Sequence, residues 1–288
     1  MELSLLPQAI VSGVLAAGLY ALVSVGLALA IGVIGIVNFA HGEFFMVGAF
    51  FAYQLFVSFG IDPVLSILLV APALAVVGAI IYLTSIRFVL KAPELNQMLL
   101  TFGIGIILQN LALMIWGGDP RSIAGVPYRA IGYQIGGVSI GLVPLGSFVI
   151  SVLLVGGLYY VLARTPIGRA MRAVAQNRLA AGLVGLEVNR VYLIAFALSA
   201  LLAGIGGVMI AVIQSPTPTI GLAFTLKAFA IVVLAGLGNI RGIVGAALVV
   251  ALAESLVATL VPNGDGLRNA VFFAIIFATL VYRSWRRI

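Results

Sequence analysis

Nine stretches of this chain are long and apolar enough to cross a lipid bilayer, and they constrain its fold more than any other feature. A spanning helix needs about 20 mostly apolar residues. The stretches have approximate bounds of 8–31, 42–59, 64–86, 97–116, 142–162, 191–213, 222–238, 242–261 and 267–283. Irregular backbone is not tolerated in contact with lipid. The pattern therefore predicts an all-α integral membrane protein, a polytopic bundle of about eight or nine transmembrane helices in one domain over residues 1–288.

The composition agrees with a chain whose solvent is lipid. Only 8% of the 288 residues are charged, whereas a water-soluble domain carries about 25%. The net charge of +7 would suggest nucleic-acid binding in a soluble protein. In a membrane protein the same excess is expected from Lys and Arg retained on the cytoplasmic side. We therefore expect a lipid environment and no nucleic-acid partner.

The positions of the basic residues predict an orientation. When the polar stretch 164–190 is placed in the cytoplasm and crossings are counted both ways, the connection 87–96, the turn at Arg241 and the tail from residue 282 reach the same side. That side then holds eleven of the 15 Lys and Arg residues. Arg121, Arg129, Lys227 and Arg268 lie elsewhere. The bias predicts a periplasmic N-terminus and a cytoplasmic C-terminus.

Several kinds of chemistry are absent from the sequence. The chain has no cysteine, so disulfides and thiolate metal sites are excluded. A single histidine, His41, cannot build a metal site with other histidines. Neither lysine lies in a G-x-x-x-x-G-K-[ST] loop, so we expect no nucleotide site and no cofactor bound by this chain. An integral-membrane enzyme is disfavoured for the same reasons.

The polar stretch 164–190 has the internal order of two amphipathic helices. Its sequence is RTPIGRAMRAVAQNRLAAGLVGLEVNR. Thr165 followed by proline is a helix start, and a second short helix would start at Asn177 and end near Gly185. Arg169 and Arg172 fall on the face opposite the apolar positions of the first helix. The pair would lie on lipid headgroups or dock into another protein, and periodicity leaves both open.

Two groups of polar residues lie in or beside the predicted spans. Asn38, His41 and Glu43 precede or begin the second span. They would either line a pathway through a broken helix, or Asn38 would cap the second helix with Glu43 in its first turn. Thr101 and Gln109 lie along the fourth span, where they would bond to a neighbouring helix or line the pathway.

Lys227 and Glu254 form the sharpest pair of intramembrane charges. Because an isolated charge is costly at such depth, they are expected to pair. The pair would be a structural ion pair or would contact the ammonium and carboxylate of a passing amino acid. Snorkelling of Lys227 to the outer interface is the remaining structural alternative.

Four blocks resemble the permeases of branched-chain amino-acid ABC importers, and more narrowly the smaller of the two permease subunits. They are GIVNFAHGEFFMVGAF, TFGIGIILQN, ARTPIGRAMRAVAQNRLAAGLVGL and AFAIVVLAGLGNIRGIVGAAL. They occur in the family's order over most of the chain. The resemblance implies import of branched-chain or other small, largely apolar amino acids through the bacterial inner membrane; urea and short amides are alternative substrates.

The resemblance also implies partners. These are a second, related permease subunit, two ATP-hydrolysing subunits that bind ATP and Mg, and a periplasmic solute-binding protein. The stretch 175–186 matches the family's coupling helix, which fits a cleft on the ATPase. The coupling residues are expected to be Arg169, Arg172, Asn177, Arg178, Ala180, Ala181, Gly182 and Leu183. An ion-coupled secondary transporter that titrates Glu43 and Glu254 is the alternative from another class.

Overall fold

A computed structural model describes residues 5–123, 125–236, 238–261 and 264–285. Its helices are α1 (Leu6–Ile34), α2 (His41–Phe59), α3 (Pro63–Ile81), α4 (Arg87–Val89), α5 (Glu94–Trp116), α6 (Leu142–Arg164), α7 (Pro166–Gln176), α8 (Arg178–Leu183), α9 (Val188–Ile213), α10 (Ile220–Ala235), α11 (Ile243–Leu260) and α12 (Gly264–Trp285). A π-helical segment, Tyr82–Ile86, joins α3 to α4 into one continuous helix. Arg286 and Arg287 of the predicted basic tail lie outside the described residues.

The predicted fold class is confirmed. Seven of the nine predicted spans are helices long and apolar enough to cross a membrane. The other two are shorter: α10 has 16 residues, and the apolar part of α12 covers Ala270–Thr279. Within the described residues, the β structure consists of one antiparallel hairpin of β1 (Gly132–Ile135) and β2 (Val138–Gly141), in a connection outside the spans. Its turn uses Gly136 and Gly137, both at positive φ, which a two-residue hairpin turn favours.

The bundle is built around α1 and α9. Within the apolar 18-residue stretch of each helix, 72% of the residues of α1 and 78% of those of α9 are buried. The other helices pack around these two, with α2 and α3 against α9, and α6 and α11 against α1. Small residues set the closest approaches. Gly48 of α2 lies against Gly204 of α9, and Gly207 lies against the backbone of Phe45. Such contacts replace the hydrophobic driving force that lipid does not supply between helices.

Contacts between connections distinguish two ends of the bundle. At one end Gln8 donates to the Ser139 carbonyl over 3.0 Å, and the Tyr128 hydroxyl donates to Asp62 over 3.1 Å. At the other end the Tyr159 hydroxyl donates to the Ile240 carbonyl. This second end also carries the α7–α8 segment, because Arg172 lines a cavity there together with Tyr159 and Ile240.

Two helices begin inside the bundle rather than at its surface. A broken helix before α2 was one of the two interpretations of the sequence, whereas the depth at which α10 begins was not predicted. His41, the first residue of α2, contacts the carbonyl of Val23, which lies eleven residues, or about 16 Å, before the end of α1. The chain therefore turns back after Ile34 and runs into the bundle without helical structure before α2 starts. Gly221, in the first turn of α10, packs against Gly42, so α10 begins at the same depth.

Candidate functional site

Six buried polar side chains surround the point where α2 and α10 begin, and we call them the central cluster. None is more than 4% exposed. The members are Asn38, His41, Glu43, Thr101, Ser199 and Thr225. The sequence singled out the first four. Ser199 and Thr225 were missed, because a lone hydroxyl in an apolar helix is most often a structural residue; its only signal is the interruption of an apolar run.

The central cluster first satisfies the backbone of the irregular segment 35–40. The Phe39 amide donates to Thr101 Oγ1 over 3.2 Å. The Thr225 hydroxyl donates to the Phe39 carbonyl over 3.3 Å and accepts from the Gly42 amide, in the first turn of α2, over 2.8 Å. Because lipid offers no partner for exposed backbone, a non-helical segment at this depth needs such side chains. Thr101 therefore binds the backbone of the segment that leads into α2, instead of bonding to a neighbouring regular helix.

His41 is fixed by two helices at once. Its Nε2 lies 2.8 Å from the Val23 carbonyl of α1, and its Nδ1 lies 3.3 Å from the Ser199 hydroxyl of α9. A neutral ring that carries its proton on Nε2 satisfies both contacts, donating to Val23 and accepting from Ser199. The ring also packs on Gly26, where a Cβ would come within 3.1 Å of it. His41 therefore positions the start of α2 against α1 and α9.

Asn38 does not cap α2, contrary to one of the two interpretations of the sequence. The N-cap residue is Ala40, which has no capping side chain. The Asn38 side-chain oxygen accepts instead from the Ala40 amide over 3.1 Å, across the turn before the helix. Its side-chain nitrogen is buried and has no partner among the described residues. One amide group of the central cluster is thus left with unused donors.

Glu43 faces the N-terminus of α10. A Cβ built on Gly221 would collide with the Glu43 carboxyl group, so that group lies directly against the first turn of α10. Helix N-termini carry free amides and a partial positive charge, which favour a carboxylate. Even so, Glu43 Oε2 is buried without a hydrogen-bond partner in the described part of the chain. The incompletely paired carboxyl group of Glu43 therefore lies beside two helix N-termini, those of α2 and α10.

Lys227 and Glu254 meet as predicted, and a third residue joins them. Lys227 Nζ lies 3.0 Å from Glu254 Oε2. The hydroxyl of Tyr20 donates to the same oxygen over 2.7 Å and accepts from Lys227 over 3.0 Å. We call these three residues the charged triad. The ring of Phe224 packs near the ammonium as well, 6.0 Å from its centroid. The sequence did not identify Tyr20, which is one of nine tyrosines.

The central cluster and the charged triad are separate. Thr225 and Lys227 are two residues apart on α10, so their side chains leave it on nearly opposite faces. Gln109 belongs to neither group. It lies eight residues beyond Thr101 on α5, about 12 Å along the helix axis, and is half-buried.

The polar stretch 164–190 folds as the two predicted amphipathic helices. Thr165 caps α7 by accepting from the Gly168 amide over 3.1 Å. Asn177 caps α8 by accepting from the Leu179 and Ala180 amides, each over 3.0 Å. Gly185 follows at a φ of +87°. In α7 the buried residues are Gly168, Met171 and Val174, whereas Arg169 and Arg172 are exposed.

One residue of the expected coupling surface points the other way. Ala181 is only 4% exposed and belongs to the hydrophobic core of the bundle. Its expected place on the outward face of α8 is therefore wrong; its small size lets α8 lie flat on the bundle. The outward apolar residues are Leu179, Leu183 and Val184, which are 75%, 90% and 78% exposed. Arg178, Ala180 and Gly182 are exposed with them.

Comparison with known proteins identifies the family. Residues 9–280 match the family model described as branched-chain amino acid transport system / permease component. No solved structure matches the chain significantly. The relatives include the high-affinity branched-chain amino acid transport system permease protein BraD of Pseudomonas aeruginosa, which is 30% identical over 96% of this chain and 93% of its own length.

Two further relatives carry the name high-affinity branched-chain amino acid transport system permease protein LivH. The Salmonella typhimurium protein is 30% identical and the Escherichia coli K12 protein 29% identical, each over 95% of this chain and 92% of its own length. The match thus extends over nearly the whole of both chains and includes the central cluster and α7–α8. The chain is a multi-pass membrane protein and belongs to the family of permease components of branched-chain amino acid transport systems.

Proposed function

We propose that this chain is a permease subunit of an ATP-driven importer for branched-chain or other small, largely apolar amino acids. The observation that supports this most strongly is the near full-length similarity to BraD and LivH. The substrate is delivered by a periplasmic binding protein, and the second half of the pathway comes from a related permease subunit. The chain lies in the inner membrane with its basic end, which carries α7 and α8, in the cytoplasm.

In this proposal ATP is bound and hydrolysed with Mg by two partner subunits, and α8 transmits their motion. The outward residues of α8 support this role. A side chain as apolar and as exposed as Leu183, at the polar end of the bundle, is expected at a protein contact. Arg178 beside it would add a charged contact at the rim. Ala181 takes part only by holding α8 on the bundle.

Co-purification with the ATPase tests this assignment. Leu183→Glu should reduce ATPase recovery at least tenfold, because the change places a charge in an apolar contact. The level of permease in the membrane should stay unchanged, since the side chain touches little of its own chain. Leu183→Met is the matched control and should keep full recovery. Unchanged recovery in Leu183→Glu would show that α8 is not the docking helix.

We further propose that the central cluster lies on the substrate pathway. An amino acid carries an ammonium and a carboxylate on one carbon. Glu43 supplies an acceptor for the ammonium, and Asn38 with the N-termini of α2 and α10 supplies donors for the carboxylate. Helices that start at membrane depth are typical of transporter substrate sites. The unpaired atoms of Glu43 and Asn38 support this role.

The charged triad has a different role in this proposal. Lys227 is engaged by Glu254, Tyr20 and the neighbouring rings. That arrangement supports a structural ion pair rather than a substrate contact. Within the charged triad, Glu254 Oε1 is the atom without a hydrogen-bond partner among the described residues. Glu254 also lines a small cavity of about 120 Å³.

An ion-coupled secondary transporter would move substrate without an ATPase. Uptake into vesicles with and without the ATPase subunits separates the two mechanisms. In our proposal, uptake depends on ATP supplied on the side of the membrane where α7 and α8 lie.

That side is the cytoplasmic face, so a cysteine introduced at Ala175 in this cysteine-free chain should be labelled only from the cytoplasmic face. Labelling from outside intact cells would reverse the orientation.

A further inference from the structure

A basic cavity opens at the end of the bundle that carries α7. It has a volume of about 550 Å³. Its walls come from the last turn of α6, from α7 and from the turn before α11, and its floor is the end of α1. The Tyr159 hydroxyl bonds across this site to the Ile240 carbonyl and so holds α6 against the turn before α11. Because α1 and α6 end there, the cavity lies at the level of a membrane surface.

The charged residues that line the cavity are all arginines. Arg172 reaches it from α7 and Arg241 from the turn before α11, and the described lining residues include no carboxylate. Among the described residues, neither guanidinium makes an ion pair or a side-chain hydrogen bond. The one ion pair of the described chain is Lys227–Glu254, in the charged triad. Both arginines are exposed. Two like charges around one cavity repel each other unless an anion lies between them.

A second cavity continues the first. It has a volume of about 380 Å³ and shares Gly32, Val33 and Ala175 with the first as lining residues. Arg178 lines this second cavity. The two cavities therefore place three arginines around the end of α1. A guanidinium can bind two oxygens of one phosphate in parallel, so arginines are the preferred phosphate ligands.

Much of the remaining lining of the first cavity is apolar, with Tyr159 and Asn239 as its other polar residues. Val33, Leu162 and Met171 form part of its lining. Beyond it, α6 and α11 expose apolar side chains along their length, among them Leu153 at 68% and Val249 at 53%. A phosphate at the arginines would thus have the apolar residues of the cavity lining beside it. This combination fits a lipid better than a free phosphate, which would gain nothing from the apolar surfaces.

We propose that this cavity binds the phosphate headgroup of an anionic phospholipid, with Arg172 and Arg241 as its ligands and Arg178 beside them. Basic pockets between helices at a membrane surface are a known form of lipid headgroup site. The lipid ties α7 to the turn before α11. The position of the α7–α8 segment then depends on the lipid as well as on the protein.

Lipid titration of the purified full-length permease tests the proposal. Delipidated protein is titrated with phosphatidylglycerol or with the zwitterionic phosphatidylcholine, and bound lipid is counted by native mass spectrometry. Wild type should retain phosphatidylglycerol at least tenfold more tightly than phosphatidylcholine. The double variant Arg172→Gln/Arg241→Gln should lose that preference. Arg190→Gln, an exposed arginine in the first turn of α9 that does not line the cavity, should keep it.

Other occupants give different results. Equal retention of phosphatidylglycerol in wild type and the double variant would overturn the proposal. Displacement of the lipid by millimolar inorganic phosphate would assign the cavity to free phosphate and would overturn it too. A double variant that binds lipid like wild type but loses ATPase recovery would assign the arginines to an acidic surface of the ATPase. In each case the failure is separate from that of the Leu183 test, because Leu183 does not line the cavity.

Discussion

Glu43 and Glu254 are buried to the same extent, each with 4% of its surface exposed, but their surroundings differ. Glu254 shares one oxygen with Lys227 and Tyr20. Glu43 has no basic partner among the described residues and lies against the first turn of a helix. Each carboxyl group keeps one oxygen without a partner among the described residues, but only Glu254 has a cation beside it there. A buried carboxylate next to a cation is held in a structural ion pair, whereas one without a cation is available to a cationic ligand. Burial alone therefore does not distinguish a structural acid from a functional one; the partners do.

The largest effect on stability is expected from breaking the charged triad. Lys227→Met leaves Glu254 as an unpaired buried charge, which typically costs about 3–5 kcal/mol. The melting temperature of the purified permease should fall steeply. The double variant Lys227→Met/Glu254→Gln should recover much of that loss, because it removes both charges together. Small and equal effects of Lys227→Met and Glu254→Gln alone would instead show two independent, solvated side chains.

A smaller effect is expected where α2 meets α10. The Cβ of Gly42→Ala would collide with the Gly221 carbonyl and the Thr225 hydroxyl, so the two helix starts must separate. Overpacking of this kind costs about 1–3 kcal/mol. Gly103→Ala on α5 is the control, because nothing lies within 4 Å of its added Cβ. A thermal melt that does not distinguish the two alanine variants would argue against close contact between these helices.

The smallest change in stability is expected at Glu43, together with a large change in transport. Glu43→Gln keeps the shape of the side chain and removes an incompletely paired charge, so the free energy of unfolding should change by less than about 1 kcal/mol. Amino-acid uptake by the reconstituted complex should fall at least tenfold, while ATPase recovery stays normal. Uptake at the wild-type rate would remove Glu43 from the pathway. A melting loss as large as that of Lys227→Met would make it a structural residue.

The polar residues show how far sequence reasoning extended into the site. The pairing of Lys227 with Glu254 was predictable, because two opposite charges in one membrane have few other partners. The caps at Thr165 and Asn177 were also predictable, since capping depends on residues two or three positions away. The contact of Glu43 with Gly221 was not, because glycine leaves no signal for what packs on it. Nor was the burial of Ala181, since an amphipathic pattern does not show which side of so short a helix meets the bundle.

The membrane fold class, the approximate spans, the amphipathic loop and the family could all be predicted from the sequence, because hydrophobic length, capping and charge bias are properties of neighbouring residues. The depth at which the helices begin depends instead on contacts between residues far apart in the chain. From the sequence, the segment 35–40 is the connection between the first two predicted spans, and a broken helix was one of two interpretations of its polar residues. This segment runs into the bundle because Thr101 and Thr225 provide partners for its backbone, and Ser199 provides one for His41. Non-helical backbone at membrane depth is stable only where hydrogen-bond partners exist, and here those partners are distant in the chain.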